Sequence, residues 1–201
     1  MPFSFNFSSM PKLQPKLLKT QNKRFLPRLL AGRKRRMFYL TENWLVTIKG
    51  CKFADRINGD VVIPKEYRGE KLKFDGASVP FPWLVTFLSF GLLRPLGVML
   101  TASIVHDFAF YYGGLLVKQN DGELKLQQIE RHQADRLFRE IIKDVNHTPV
   151  WAFIAWFAVR LGWLWLPYNG ERFAGKTPWG VLISTFLMLL AAGYCAIKAL
   201  A

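Results

Sequence analysis

His106 and Asp107 are adjacent ionisable residues in a stretch that is otherwise apolar between residues 96 and 112. Asp135 lies at the edge of the apolar face of the next amphipathic segment. Buried ionisable groups need an opposite charge, a metal ion or a chemical task. Asp135 is thus able to meet the helix that carries His106, and a histidine oriented by such a carboxylate can act as a general base near neutral pH.

Asp107 and an earlier loop suggest a metal site beside this pair. The side chains of neighbouring residues on a helix point about 100° apart. Asp107 and His106 therefore cannot point at the same position, but they can line adjacent halves of one site. Residues 75–80 begin with Asp75-Gly76 and end with a proline, which is typical of a loop. Carboxylate and loop carbonyl oxygens are ligands that Ca²⁺ takes. Asp107, Asp75 and Gly76 are therefore candidate metal ligands, with the identity of the metal left open.

The elements that position these residues are predicted to be mostly helical. Short runs of β-branched and aromatic residues within residues 44–74 predict a small N-terminal antiparallel β hairpin or meander. Helices are predicted over 96–112, 130–145 and 150–166. The third is apolar except for Arg160 and is interpreted as a core or interfacial helix, with a second membrane span left open. The predicted fold is mainly α, with an antiparallel helix pair at its centre.

Residues 178–197 contain no charged side chain. A helix of that length measures about 30 Å, which matches the hydrocarbon thickness of a bilayer. A transmembrane helix is therefore predicted, with a buried core helix as the alternative. Arg172 and Lys176 precede it and only Lys198 follows, so the positive-inside rule places the main domain in the cytoplasm. The expected localisation is the inner or cytoplasmic membrane, with a single-pass C-terminal anchor.

Residues 1–40 form a basic segment with ten Lys or Arg residues and no Asp or Glu, in a chain of net charge +14. A flexible arm is predicted, with an anionic phospholipid membrane preferred to nucleic acid as its partner and a solvated tail as the alternative. Protein partners cannot be named. The predicted membrane-binding residues are Lys12, Lys16, Arg33, Lys34, Arg35, Arg36, Trp83 and Phe87.

The length of 201 residues limits the number of domains, and the two cysteines indicate the redox compartment. The chain has room for one domain of substantial size, from about residue 41 to residue 168, besides its two terminal segments. The basic segment lacks the long apolar core of a secretory signal. Cys51 and Cys195 do not suggest a disulfide framework, so a reducing compartment is expected.

Four sequence segments carry a family resemblance. Phe74 to Pro80 reads FDGASVP, residues 106–110 read HDFAF, residues 134–138 read ADRLF and residues 156–162 read WFAVRLG. In this order they resemble the phage-associated domain-of-unknown-function family 1353, over roughly residues 63–162.

The same order is similar, more distantly, to the small bacterial and fungal secreted phospholipases A2. In those enzymes an Asp-Gly loop precedes a His-Asp helix, and a second helix bears another Asp. This resemblance implies that His106 activates water, that Asp135 orients it, and that Asp107 and the Asp75 loop bind calcium.

Three functions remain open at this stage, and so does the question whether the chain is an enzyme. The first is a membrane-bound, possibly calcium-dependent hydrolase of lipid esters, of phospholipase A2 type. The second is a non-enzymatic membrane- or phage-associated interaction protein, in which the polar residues only fix helix packing. The third is an accessory protein of prophage lysis.

Overall fold

Antiparallel strands and α-helices both contribute to the fold. The structure, a computed structural model, describes residues 1–17, 36–74, 99–165 and 179–200. The strands are β1 (Ser4–Phe7), β2 (Leu13–Leu17), β3 (Arg36–Leu40), β4 (Trp44–Lys49), β5 (Gly59–Ile63), β6 (Glu66–Tyr67), β7 (Glu70–Lys71), β8 (Lys73–Phe74), β9 (Gly114–Lys118) and β10 (Leu124–Gln128). The helices are α1 (Leu100–Tyr112), α2 (Arg131–Asn146), α3 (Pro149–Trp165) and α4 (Trp179–Leu200), with a 3-10 turn at Asp55–Ile57.

The largest sheet has five antiparallel strands in the order β1-β4-β5-β9-β10. Side chains alternate across β4, where Trp44, Val46 and Ile48 are buried while Leu45 is exposed. Their partners on β5 include Val61, which lies opposite Val46. One face of this sheet therefore contributes to the hydrophobic core. Smaller sheets comprise β2-β3-β8 and β6-β7.

Two glycines join the helix that carries His106 to the central part of the sheet. Gly113 ends α1 in the left-handed conformation, with φ of 71°, where glycine is favoured. Gly114 begins β9, and a Cβ atom there would collide with the carbonyl oxygen of Gln127 on β10. The pair thus makes an abrupt turn from helix to strand and fixes α1 against the sheet.

The helices pack on one another and on the sheet. Helix α2 has buried residues at helical spacing, and a capping box between Glu130 and Gln133 fixes its start. It packs between α1 and α3, and its Asp144 accepts a hydrogen bond of 2.7 Å from the backbone N–H of Phe5 on β1. Phe108 of α1 and Phe138 of α2 are fully buried in the shared core. Each such ring contributes about 1.5–3 kcal/mol by leaving water.

The mainly α prediction is wrong, because the fold is mixed and built around a five-stranded sheet. The predicted hairpin corresponds to β4 and β5, which are only the inner part of that sheet. The predicted flexible arm over 1–40 contains β1, β2 and β3, each paired with another strand. Backbone pairing satisfies the N–H and C=O groups of these segments and orders them despite their basic composition.

The predicted transmembrane helix and the single-pass membrane localisation are also wrong. Within the ranges that the structure describes, no helix combines the length and the apolar character needed to cross a membrane. Residues 179–200 are helical, but Gly180, Ser184 and Tyr194 interrupt their apolar character. The prediction gave the apolar residues of this segment more weight than the polar cost of Ser184, Thr185 and Tyr194.

Candidate functional site

The centre of the site is a contact between helices α1 and α2. His106 lies on α1, and its Nε2 atom is 2.9 Å from Oδ1 of Asp135 on α2. At this distance the ring nitrogen Nε2 and the carboxylate oxygen Oδ1 form a hydrogen bond. The predicted pairing of these two residues is therefore present in the geometry. The histidine side chain is 12% exposed, so the site lies just beneath the surface.

Asp135 is the most deeply buried member of the site, with no exposed surface. Its second oxygen, Oδ2, faces Arg160 of α3, whose Nε atom is 3.9 Å away. A buried carboxylate without a counter-charge is strongly destabilising, and here two basic side chains from two different helices flank it. The site thus joins α1, α2 and α3 through one carboxylate.

Asp107 lies on the other side of the histidine ring. Its Oδ1 atom is 3.8 Å from Nδ1 of His106, and its side chain is 15% exposed. The ring is therefore placed between Asp135 at Nε2 and Asp107 at Nδ1. This agrees with the prediction that adjacent residues serve two halves of one site.

These neighbours control the charge of the histidine. Burial lowers the pKa of His106, but hydrogen bonds and charges from Asp107 and Asp135 outweigh burial and raise it from 6.5 to about 9. His106 is accordingly an imidazolium at neutral pH. Burial lowers the pKa of Arg131 and of Arg160, and the negative charge of Asp135 opposes that shift in both.

Aromatic rings surround the histidine. The ring of Phe110 lies parallel to that of His106 within 23°, at a centroid distance of 6.2 Å, and Phe138 meets it edge-on at 5.4 Å. The guanidinium of Arg131 lies 5.2 Å from the centre of the Phe110 ring. Two aromatic rings therefore flank the imidazole, and Arg131 lies beside one of them. The low polarity of these surroundings strengthens the electrostatic interactions of the imidazole.

The other predicted metal ligands, Asp75 and Gly76, fall outside the described residues. Of the three predicted ligands, Asp107 is the one that the structure describes, and its carboxylate is of the kind that calcium binds. Across the ranges that the structure describes, no three His, Cys, Asp or Glu side chains are placed to hold a metal ion. The calcium site stays a prediction, and no step of a reaction is derived through a metal.

The predicted membrane-binding residues are only partly described. Lys12 is exposed and forms an ion pair with Glu42 at 3.1 Å. Lys16 and Arg36 belong to the paired strands β2 and β3, lying opposite Met37 and Leu17 respectively. The remaining ones lie outside the described residues: Arg33, Lys34, Arg35, Trp83 and Phe87.

Arg160 is the site residue that the sequence analysis did not assign. The signal was present, because Arg160 is the one charged residue in the apolar segment 150–166. A single charge in an apolar segment indicates a buried counter-charge, and here that counter-charge is Asp135. Arg131 and Arg139 lie one helical turn from Asp135 on α2, but Arg139 pairs with Glu140 at 2.7 Å.

Comparison with known proteins identifies a family but no characterised relative. No curated protein and no solved structure matches the chain. A family described as "Protein of unknown function (DUF1353)" matches residues 46–159, a range that contains His106, Asp107 and Asp135. Arg160 follows immediately after the matched range. Because the match covers more than half of the 201 residues, the chain belongs to this family of unknown function.

Proposed function

We propose that the protein is an ester hydrolase of the phospholipase A2 type, with phospholipid as its substrate and His106 as its general base. The observation that carries the proposal is the 2.9 Å contact between His106 Nε2 and a fully buried Asp135. A base fixed at one ring nitrogen by a carboxylate presents its other nitrogen for proton transfer. That nitrogen, Nδ1, lies on the side of Asp107.

The reaction follows from this arrangement. Neutral His106 removes a proton from water at Nδ1 while the water oxygen bonds to the ester carbonyl carbon. The resulting imidazolium is stabilised by Asp135, and its proton then passes to the departing alkoxide as the carbon–oxygen ester bond breaks. Asp135 keeps the ring in one orientation and stays ionised throughout, as the carboxylate does in other histidine-based hydrolases.

The pKa of about 9 sets the pH range of this chemistry. At pH 7 His106 is mostly protonated and cannot accept a proton from water. The fraction of protein with a neutral base rises about tenfold from pH 7 to pH 8 and about fivefold from pH 8 to pH 9, and it levels off above pH 9. Hydrolysis by the protein alone is therefore expected to increase over this range.

A second candidate function is favoured by the same pKa. An imidazolium at neutral pH makes His106, Asp107, Asp135 and Arg160 a set of alternating charges that ties three helices together. In that case the protein is a non-enzymatic interaction protein, associated with a membrane or a phage. An accessory role in prophage lysis belongs to this second candidate unless cell-wall turnover is found.

Fatty acid release from mixed phospholipid vesicles tests the proposal. Purified protein is assayed from pH 7 to pH 9.5 with added calcium or with a chelator, because calcium remains a prediction of the phospholipase resemblance. His106→Ala is compared with His132→Ala, which removes a more exposed histidine of the same region. Release that rises with pH, is lost in His106→Ala and persists in His132→Ala supports the hydrolase. Absence of release from folded wild-type protein under all conditions favours the interaction protein.

A further inference from the structure

Arg160 is placed differently from the other arginines of the three-helix region. It lies on α3, where its neighbours in sequence are apolar, and its side chain is only 14% exposed. Its Nε atom faces Oδ2 of Asp135, whereas His106 uses Oδ1 of the same carboxylate. Each oxygen of Asp135 is thus approached by a basic side chain from a different helix.

The two basic side chains are chemically unequal. The guanidinium of Arg160 remains charged at every pH that the protein meets, whereas His106 can gain and lose a proton. Arg160 therefore supplies the buried Asp135 with a permanent counter-charge that does not depend on the histidine.

An aromatic ring holds the guanidinium in this position. The central carbon of the Arg160 guanidinium lies 4.6 Å from the centre of the Trp156 ring, one helical turn earlier on α3. Arg139 of α2 approaches the same ring at 5.3 Å, but its guanidinium is paired with Glu140. Arg139 and Arg160 therefore contact the same tryptophan ring but face different acids. Arg139 is paired with Glu140, whereas Arg160 faces Asp135, the carboxylate that is bonded to His106.

We propose that Arg160 is a positioning residue, which gives Asp135 a permanent counter-charge and fixes the orientation of its carboxylate, so that Oδ1 stays in place for the hydrogen bond with His106 Nε2. Arg160 acts through Asp135 and touches neither water nor substrate. This inference rests on the proposed hydrolase function, in which Arg160 would be the third member of a His106–Asp135–Arg160 chain of contacts. Its structural content does not depend on the protein being an enzyme.

Nuclear magnetic resonance of the histidine rings tests this proposal directly. The chain has three histidines, so proton–nitrogen correlation spectra of the rings are simple, and His106→Gln identifies the His106 signals. Spectra are recorded at one pH without added metal. Wild-type protein is expected to show a downfield His106 Nε2 proton, typical of a hydrogen bond to a carboxylate.

Arg160→Met retains the bulk of the side chain and removes its charge, and Arg139→Met is the matched control against the same Trp156 ring. The downfield proton is expected to be lost in Arg160→Met and kept in Arg139→Met, with Arg160→Lys intermediate. A wild-type His106 signal in folded Arg160→Met overturns the proposal. If Arg160→Met does not fold, folded Arg160→Gln decides, because that variant also lacks the charge and a wild-type His106 signal in it overturns the proposal equally.

Fatty acid release provides a second test of the positioning role of Arg160. In Arg160→Lys, kcat is expected to fall at least tenfold while KM stays within about twofold, because Arg160 does not contact substrate. A KM increase with unchanged kcat contradicts a positioning role. If wild-type protein releases no fatty acid, the proposed hydrolase fails, whereas the His106 spectra still decide the role of Arg160.

Discussion

Two histidine–carboxylate pairs in this protein have the same separation but very different surroundings. His106 Nε2 lies 2.9 Å from Asp135 Oδ1, and His132 Nδ1 lies 2.9 Å from Glu130 Oε2. The side chains of the first pair are 12% and 0% exposed, and those of the second are 37% and 52% exposed. Water screens the outer pair and scarcely reaches the inner one. Burial, rather than distance, therefore distinguishes the two pairs, and the buried pair is the one proposed to do chemistry.

The largest expected effect comes from removing the charge of the buried carboxylate. Asp135→Asn leaves the His106 imidazolium and Arg160 without their shared counter-charge, and should lower the free energy of unfolding by about 3–5 kcal/mol. For a chain of this size the melting temperature should fall by roughly 10 °C. Urea and thermal unfolding measure this, and a loss below about 1 kcal/mol would show that the inner pair is no more important than the outer one.

A smaller effect is expected from pH. The folded pKa of His106 is about 9 and its unfolded value is 6.5. The stability that comes from this raised pKa is fully present below pH 6.5 and is lost as pH rises through 9. A shift of this size corresponds to roughly 3 kcal/mol at about 1.4 kcal/mol per unit. Unfolding curves from pH 6 to pH 9.5 measure it. The decline should be absent in His106→Gln and retained in His132→Gln, and equal slopes in all three proteins would contradict the assignment.

The smallest effect is expected at the outer pair. Glu130→Gln removes a screened charge but retains an oxygen that can accept the backbone hydrogen bond of the capping box. The free energy of unfolding should change by less than about 1 kcal/mol at neutral pH, and by still less in 1 M salt. Denaturant unfolding at two salt concentrations measures this difference. A salt-independent loss of several kcal/mol would mean that burial does not separate the two pairs.

The sequence predicted the contact of the inner pair better than the architecture around it. Helical spacing placed Asp135 where it could meet the helix of His106, and the phospholipase A2 resemblance implied that the two residues pair. The strand Trp44–Lys49 was also visible, because its buried and exposed residues alternate along the chain. Both signals are local, so neither required knowledge of distant segments.

The missed features depend on contacts between segments distant in sequence. Strand β1 lies in a basic segment and is ordered by pairing of Ser4 with Lys49. Strand β9 is buried along most of its length, so it lacks the alternation that identifies a half-exposed strand. The role of Arg160 is visible only in the fold, where α3 packs against α2 and places Arg160 beside Asp135. Such partners cannot be read from spacing along one chain.

The central claim is that the buried pair transfers protons, and the outer pair does not. Its most direct test is fatty acid release from phospholipid vesicles at pH 9, measured on wild type, His106→Gln and His132→Gln after each is shown to be folded. The account predicts release by wild type and His132→Gln, and at least a hundredfold less by His106→Gln, in keeping with loss of a general base. Equal release by all three proteins, or none by any, would contradict it.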